Sequence, residues 1–277
     1  MTTLKNLKTH YTAPGLISRI EAGLAQLGKQ PTALGPDDLS AVDEFHVRGP
    51  VATAELITLL APTAQMHVLD VGSGLGGPAR RLARTTGCRV TGVDLSEDFC
   101  ATGTVLNEWT SMGQQVKLTP GDATKLVQFQ EATFDAAWTI HVGMNIVDKL
   151  ACYSEVFRVL KPGAPFVIYD VLATSDQAIH FPVPWAQTAA TSFLLTRAAL
   201  TTTLAQAGFT VTTVADHTTK ATASLERAVA QQSQQTTSPP LGLHLVLGPI
   251  VRMMVQALHR NFAEQRVELV AVRCQKA

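Results

Sequence analysis

Short apolar, β-branched runs recur through the middle of the chain, and each gives way to a stretch with helical spacing. The runs are MHVLDV from Met66, RVTGVD from Arg89, QVKLT from Gln115, FDAAWTI from Phe134, FVIYDVL from Phe166 and FTVTTV from Phe209. One more, RVELVAVR from Arg266, follows after a longer break. Parallel strands need crossover connections, so this alternation predicts an α/β fold: a doubly wound, mostly parallel seven-stranded sheet with helices on both faces.

Helical spacing fills the gaps. Leu16, Ile17, Ile20, Leu24 and Leu27 form one apolar face, and a second helix is predicted after Gly49-Pro50, running through Ala61. Lys149 to Leu160 reads as a crossover helix with Leu150, Tyr153, Phe157 and Leu160 on its sheet side, stopped by Lys161-Pro162-Gly163. Residues 221–262 interrupt the alternation before the last strand. There QQSQQTTSPPLG suggests an exposed loop, and Leu247, Ile250, Val251, Met254, Val255, Leu258 and Phe262 form an i, i+3, i+4 stripe. Two units are therefore expected: N-terminal helices over 1–65 that serve as a lid, and a domain over 66–277 with a helical insertion at 221–262.

Composition narrows the class of partner. Hydrophobic residues make up 46% of the 277 and charged residues 16%, which describes a well-filled globule and excludes a disordered chain. Lys plus Arg equals Asp plus Glu at 22 each, so the broad positive field of a nucleic-acid enzyme is missing and nucleic acid is not an expected partner. No stretch is apolar for the roughly 20 residues that a membrane-spanning helix needs, nor does the start read as a signal peptide, so no membrane partner and a cytoplasmic location are expected. Cys88, Cys100, Cys152 and Cys274 form no CxxC pair and are expected to be buried free thiols, without zinc or disulfides.

The sharpest chemical signal is Val68-Leu69-Asp70-Val71-Gly72-Ser73-Gly74-Leu75-Gly76-Gly77-Pro78. A buried strand runs into a turn that lets a ligand approach the backbone, and a helix follows with proline in its first turn. The free amides at that helix start suit an anionic group. Gly72, Gly74 and Gly77 also satisfy G-x-G-x-x-G, the dinucleotide pattern, which alone is weak. Asp70 bears on the choice: a carboxylate at the strand end repels a pyrophosphate but accepts hydrogen bonds from an ammonium, such as the amino-acid end of S-adenosylmethionine.

Asp94 ends the second strand, 24 positions after Asp70, where an acidic residue can take both hydroxyls of an adenosine ribose; capping of the helix opened by Ser96 and Glu97 is the plainer alternative. In Pro120-Gly121-Asp122-Ala123 a carboxylate and the Ala123 amide suit an adenine edge, against a simple Asx turn. The fourth strand then delivers His141, Val142, Gly143, Met144 and Asn145 to the same sheet edge, where open α/β sheets bind ligands.

These segments resemble the class I S-adenosylmethionine-dependent methyltransferases, above all the small-molecule group that includes sarcosine/dimethylglycine N-methyltransferases. The likeness lies in VLDVGSGLGGPARRLA, VTGVDLS, GDA, HVGMNIVDK, YSEVFRVLKPG and FVIYDVL, spanning about Met66 to Leu172. It implies a Rossmann-like fold, S-adenosylmethionine as cofactor and S-adenosylhomocysteine as product. It implies that Gly72, Gly74 and Gly76 line the cofactor, that Asp94 holds its ribose and that Asp122 holds its adenine. Asp70, Ser73, Leu95, Ala123 and His141 complete the expected cofactor set. The resemblance also suggests that Asp43-Glu44-Phe45-His46 is a D-x-F-H segment closing over the site. Val47-Arg48-Gly49 departs from the smaller polar pair that relatives often carry there.

Methyl transfer from a sulfonium is an in-line displacement that demands alignment and a dry site, and no metal is expected. The expected acceptor is a small molecule, most simply an unprotonated amine; O- or C-methylation is the alternative and would call for a base. His141 and His46 are the candidate catalytic residues. Tyr11, His46, Asn145, Tyr169, Asp170, His180 and Trp185 are the candidate acceptor-binding residues. Two rival classes stand beside this reading: an NAD-dependent oxidoreductase, disfavoured by Asp70 and by the lack of a second nucleotide-binding half, and a silent protein that only retains the cofactor.

Overall fold

The structure is a computed structural model that describes residues 15–235 and 237–277. Its centre is one seven-stranded sheet: β1 (His67–Val71), β2 (Arg89–Asp94), β3 (Val116–Pro120), β4 (Ala136–Ile140), β5 (Pro165–Ala173), β6 (Phe209–Asp216) and β7 (Val267–Lys276). The order is β3-β2-β1-β4-β5-β7-β6. β1 to β5 pair in parallel, and β7 runs antiparallel between β5 and β6. This is the doubly wound, mostly parallel sheet that the alternation predicted, and the Rossmann-like fold that the resemblance implied. The inner strands are buried on both faces, which is why they read as continuous apolar runs.

The chain order reverses between β1 and β4, where Asp70 sits opposite Gly92 on one side and Trp138 on the other. A crevice opens beyond the strand ends at such a switch point. One face of the sheet packs Trp138, Tyr169 and Leu269 against the Gly49–Leu60, Gly77–Thr86 and Val251–Ala263 helices, through residues such as Leu56, Leu82 and Phe262. The other packs Phe166 and Val270 against Tyr153 and Val156 of the Lys149–Val159 helix and Leu200 and Leu204 of the Arg197–Gln206 helix. A third cluster lies beside the crevice. In it Leu16, Ile20 and Leu24 of the Leu16–Gln26 helix and Leu39 and Val42 of the Pro36–Asp43 helix meet Leu75, Phe99 and Leu106, together with Leu241 and Val246 of the insertion.

Three local expectations need correction. The Lys149–Val159 helix buries Cys152, Tyr153, Val156 and Val159, while Leu150 is 41% exposed. Its sheet-facing stripe is rotated because the aligned row is the one that meets Phe166; Phe157 instead packs at the edge on Phe209, their ring centroids 5.2 Å apart. The insertion's first helix starts earlier, at Thr218, and runs to Gln234, so the first four residues of the expected QQSQQTTSPPLG loop are helical. Leu27 lies beyond the end of its helix and is 47% exposed. Met254 of the predicted stripe is fully buried, whereas Met253 faces outward. All four cysteines are free and buried.

Candidate active site

A cavity of about 460 Å³ occupies the crevice. Its floor begins with the turn after β1, where Gly72 and Ser73 both donate to the Val93 carbonyl, at 2.7 and 3.1 Å. Gly72 and Gly74 have φ of 75° and 53°, a region costly for residues with a Cβ. Space also forbids a side chain at Gly72, because a Cβ there would sit 2.2 Å from Val142. Gly76 does not line the cavity; it caps the Gly77–Thr86 helix and turns toward Leu118 and Arg80.

Two polar atoms at this turn are buried without a protein partner: Asp70 Oδ2 and Ser73 Oγ. Both residues line the cavity. Burial, with a contribution from Asp94, pushes the Asp70 carboxyl up to about 7, and the Trp138 indole partly offsets the rise. An unsatisfied acceptor and a hydroxyl beside free glycine backbone fit an amino-acid tail bearing both an ammonium and a carboxylate.

Asp94 also lines the cavity. Its carboxylate accepts from the Gly74 amide at 2.8 Å and from the Ser96 amide at 2.9 Å, which ties the glycine turn to the tip of β2. Burial raises this carboxyl as well. Leu95 follows it along the wall, and Asp122 with Ala123 stands further along. Asp122 Oδ1 takes both the amide and the hydroxyl of Thr124, at 2.9 and 2.7 Å, so the Asx turn is present and one carboxylate oxygen does that work.

The loop after β4 forms the next wall. His141 is held at φ 57°, and Asp170 accepts the amides of Val142 at 3.0 Å and Gly143 at 3.1 Å from beneath. Asp170 therefore fastens this loop from below and does not line the cavity. Tyr169, its neighbour on β5, points to the opposite face, where its hydroxyl donates to the Val47 carbonyl at 3.4 Å. His180 is also away from the cavity: it pairs with Glu264 at 2.8 Å and clamps Asn261 through its backbone. Tyr11 lies outside the described residues.

His46, His141, Asn145 and Trp185 do line the cavity. Asn145 donates to the carbonyls of Trp185 and Thr191, at 2.8 and 3.0 Å, which sets the Pro184-Trp185 wall. The His46 and His141 rings stand 6.1 Å apart. Burial drives His46 down to about 4 and His141 well below its ordinary value, so both imidazoles are neutral near pH 7. His46 Nε2 donates to the Gly49 carbonyl at 2.9 Å, which assigns the proton to Nε2 and leaves the lone pair on Nδ1. Arg48, whose sequence context was unusual, turns away to Glu55 and to His217 Nδ1.

Phe45, Val142 and Met144 line the apolar wall from segments expected at the site. Sequence reasoning gave no such role to Val47, Ile140, Ile146 and Val147, nor to Leu258 of the insertion, whose stripe signalled only packing. It also missed Arg80, which looks like one of several surface charges on an amphipathic helix. In the fold Arg80 pairs with Asp43 at 2.6 Å, fully buried, and clips the D-x-F-H segment to the glycine-turn helix.

Residues 69–168 match the family described as a methyltransferase domain. A sterol 24-C-methyltransferase of Eremothecium gossypii is 38% identical over 109 residues, 39% of this chain and 29% of that protein, so the chain spans less than a third of the length of this relative. Among solved structures, geranyl diphosphate C-methyltransferase from Streptomyces coelicolor A3(2) has a TM-score of 0.70 at 18% identity, covering 100% of this chain and 99% of that one. A putative sarcosine dimethylglycine methyltransferase from Galdieria sulphuraria has a TM-score of 0.65 at 14% identity, covering 82% and 84%. At these identities the two structures speak for the fold. The family match over β1 to β5 and a glycine turn that fits an amino-acid tail make residues 69–168 similar to a methyltransferase domain.

Proposed function

We propose that this protein methylates a small, uncharged, largely apolar molecule, and that the methylated atom is carbon. One observation carries this reading: away from the cofactor end, the cavity wall is largely apolar, with two neutral histidines, the Asn145 amide and Asp148, and with no lysine or arginine among its lining residues. No lysine or arginine of the wall can pair with a diphosphate such as the one named for the S. coelicolor protein, whose complex also holds Mg2+. A protonated amine needs a carboxylate, and most of those on the wall are engaged: Asp94 and Asp122 with backbone amides, Asp148 with the start of a helix and Asp43 Oδ2 with Arg80, while Asp70 stands at the cofactor end. The sequence match to a sterol 24-C-methyltransferase supports carbon over the amine that sequence alone suggested.

In this reading Asp70, Gly72, Ser73 and Gly74 hold the amino-acid end of S-adenosylmethionine, Asp94 and Leu95 its ribose, and Asp122 with Ala123 its adenine. The bound cofactor supplies an electrophilic methyl group. The protein aligns an alkene carbon of the acceptor against it and excludes water with Phe45, Met144, Trp185 and Leu258. Once that carbon has taken the methyl group, its neighbour is electron-deficient and must lose a proton to restore a double bond. His46 Nδ1, a lone pair in a dry wall, accepts that proton, and the His141 ring beside it shields the positive charge. The helices over 15–60 and the insertion act together as the lid of this chamber.

The test is turnover with methyl-labelled S-adenosylmethionine against three pools: neutral isoprenoid and sterol alcohols, isoprenyl diphosphates, and small amines. Label appearing in a new carbon–methyl bond of a neutral lipid is the expected result. Label confined to amines would overturn it.

A further inference from the structure

We propose that Thr53 and Glu44 are positioning residues that make His46 the base of the acceptor site, an inference that rests on His46 facing the acceptor as described above. Thr53 stands on the first turns of the Gly49–Leu60 helix and is fully buried. Its Oγ1 lies 3.0 Å from His46 Nε2 and donates to Glu44 Oε2 at 2.5 Å. A hydroxyl whose proton is given to a carboxylate can only accept from the imidazole. The chain therefore runs in one direction: Nε2–H to Thr53 Oγ1, and Oγ1–H to Glu44. The Gly49 carbonyl, 2.9 Å from the same nitrogen, demands the same tautomer.

Glu44 is itself buried, and its other oxygen accepts from Arg81 Nε at 2.7 Å. Glu44 has Arg81 on one oxygen and Thr53 on the other, and through Thr53 it reaches His46. When Nδ1 takes a proton from the acceptor carbon, the C–H electron pair forms the new double bond and the imidazole becomes cationic. Glu44, two hydrogen bonds away, is then the nearest fixed negative charge along that path. Around His46 stand Arg81 and Arg48, which disfavour its protonation, and the His141 and Tyr169 rings at 6.1 and 6.4 Å. Arg48 is neutralised by Glu55 and Arg81 by Glu44 and Asp37.

The experiment is nitrogen-15 NMR of the full-length protein labelled at histidine, with His46→Gln identifying the His46 signals and S-adenosylhomocysteine present throughout. No acceptor is required, so the outcome is independent of which molecule is methylated. Wild type should show His46 protonated at Nε2 over the whole range above its titration. Glu44→Gln keeps the shape and removes the charge, and should lower the proton affinity of His46 by about tenfold. Thr53→Val should leave Nε2 protonated through the Gly49 carbonyl but shift the Nε2 signal and lower the titration, and Thr53→Ser should restore the wild-type signals. If Glu44→Gln and Thr53→Val melt like wild type and leave the His46 shifts and titration unchanged, the two residues are structural only. If Thr53→Val does not fold, Glu44→Gln and Thr53→Ser decide alone. Once an acceptor is in hand, Glu44→Gln should depress kcat at constant KM.

Discussion

Arg80 and Asp43 meet at 2.6 Å with their side chains 0% and 1% exposed, 37 residues apart in the chain. The same guanidinium donates to the Leu75 carbonyl at 2.8 Å and to Asn107 at 2.7 Å. A single buried cation thus joins the segment bearing Phe45 and His46, the glycine turn and the Glu97–Trp109 helix. Burial pushes the Asp43 carboxyl up, and the Arg80 charge opposes that rise.

Removing one partner strands the other charge in the core. Asp43→Ala should lose about 3–5 kcal/mol of stability, measured by urea unfolding. The loss should exceed that for Asp37→Ala, whose partner Arg81 meets it at the surface with Asp37 85% exposed. Equal losses would show that the buried pair is not the anchor. By the same logic a chain lacking residues 1–48 should be destabilised and not merely opened, because Arg80 would be left alone.

Asp70 gives cofactor binding a pH dependence. With its carboxyl raised to about 7, the group is largely protonated below that pH and cannot pair with an ammonium. Affinity for S-adenosylhomocysteine should therefore rise with pH through about 7 and level off above it. Below 7 the limiting slope is about tenfold per unit, for one coupled proton. For folding the sign is opposite: a carboxyl raised in the folded state adds stability that is full below its unfolded value and is lost as pH climbs to 7. Calorimetric titration of wild type and Asp70→Asn across pH 5.5–8.5 separates the two, since the variant should bind weakly at every pH without the slope.

Gly74→Val tests the turn. The position has φ 53° and a Cβ there would stand 3.3 Å from the Phe45 ring. Strain of about 1–2 kcal/mol is expected from the left-handed backbone, with a small fall in Tm. Binding of S-adenosylhomocysteine should fall far more, because the branched side chain enters the cavity. A variant that melts near wild type and binds normally would remove the turn from the site.

Asp170→Ala should act on the His141 loop. It leaves the Val142 and Gly143 amides without their acceptor, at a cost of about 1–3 kcal/mol for each buried donor. Turnover should fall more steeply than cofactor affinity, because the loop carries His141 and not the glycine turn. Crystallography of the variant would show the loop displaced; an unmoved loop with unchanged turnover would contradict the assignment.

The strands, their order of appearance and the glycine turn were legible because burial on both faces writes itself as apolar runs and a close backbone approach writes itself as glycine. Long-range pairing left no such mark. Arg80, Thr53 and Glu44 occupy positions that local periodicity assigns to solvent, and only the folded leader takes them out of water. Tyr169 and Asp170 lie within β5, which runs on to Ala173, and alternation along the strand sends one toward Val47 and the other beneath the loop after β4. The rest of the apolar cavity wall left no mark because a cavity lining and a core use the same side chains; Leu258 is both part of a packed stripe and part of that wall.

The placement of β7 governs the order in which this molecule can be completed during synthesis. β6 joins the sheet only through β7, and β7 is made after the whole insertion. Until residues 267–276 emerge from the ribosome, β5 keeps a bare, apolar edge of nine residues, and the β6 segment has no neighbour to bond. Such an edge invites pairing with other nascent chains. The same late arrival brings the helix bearing Leu258 into place, so the acceptor wall and the protection of the sheet are finished in one step. A variant that slows the closing of β7 should then be recovered in inclusion bodies even where its finished fold is as stable as wild type.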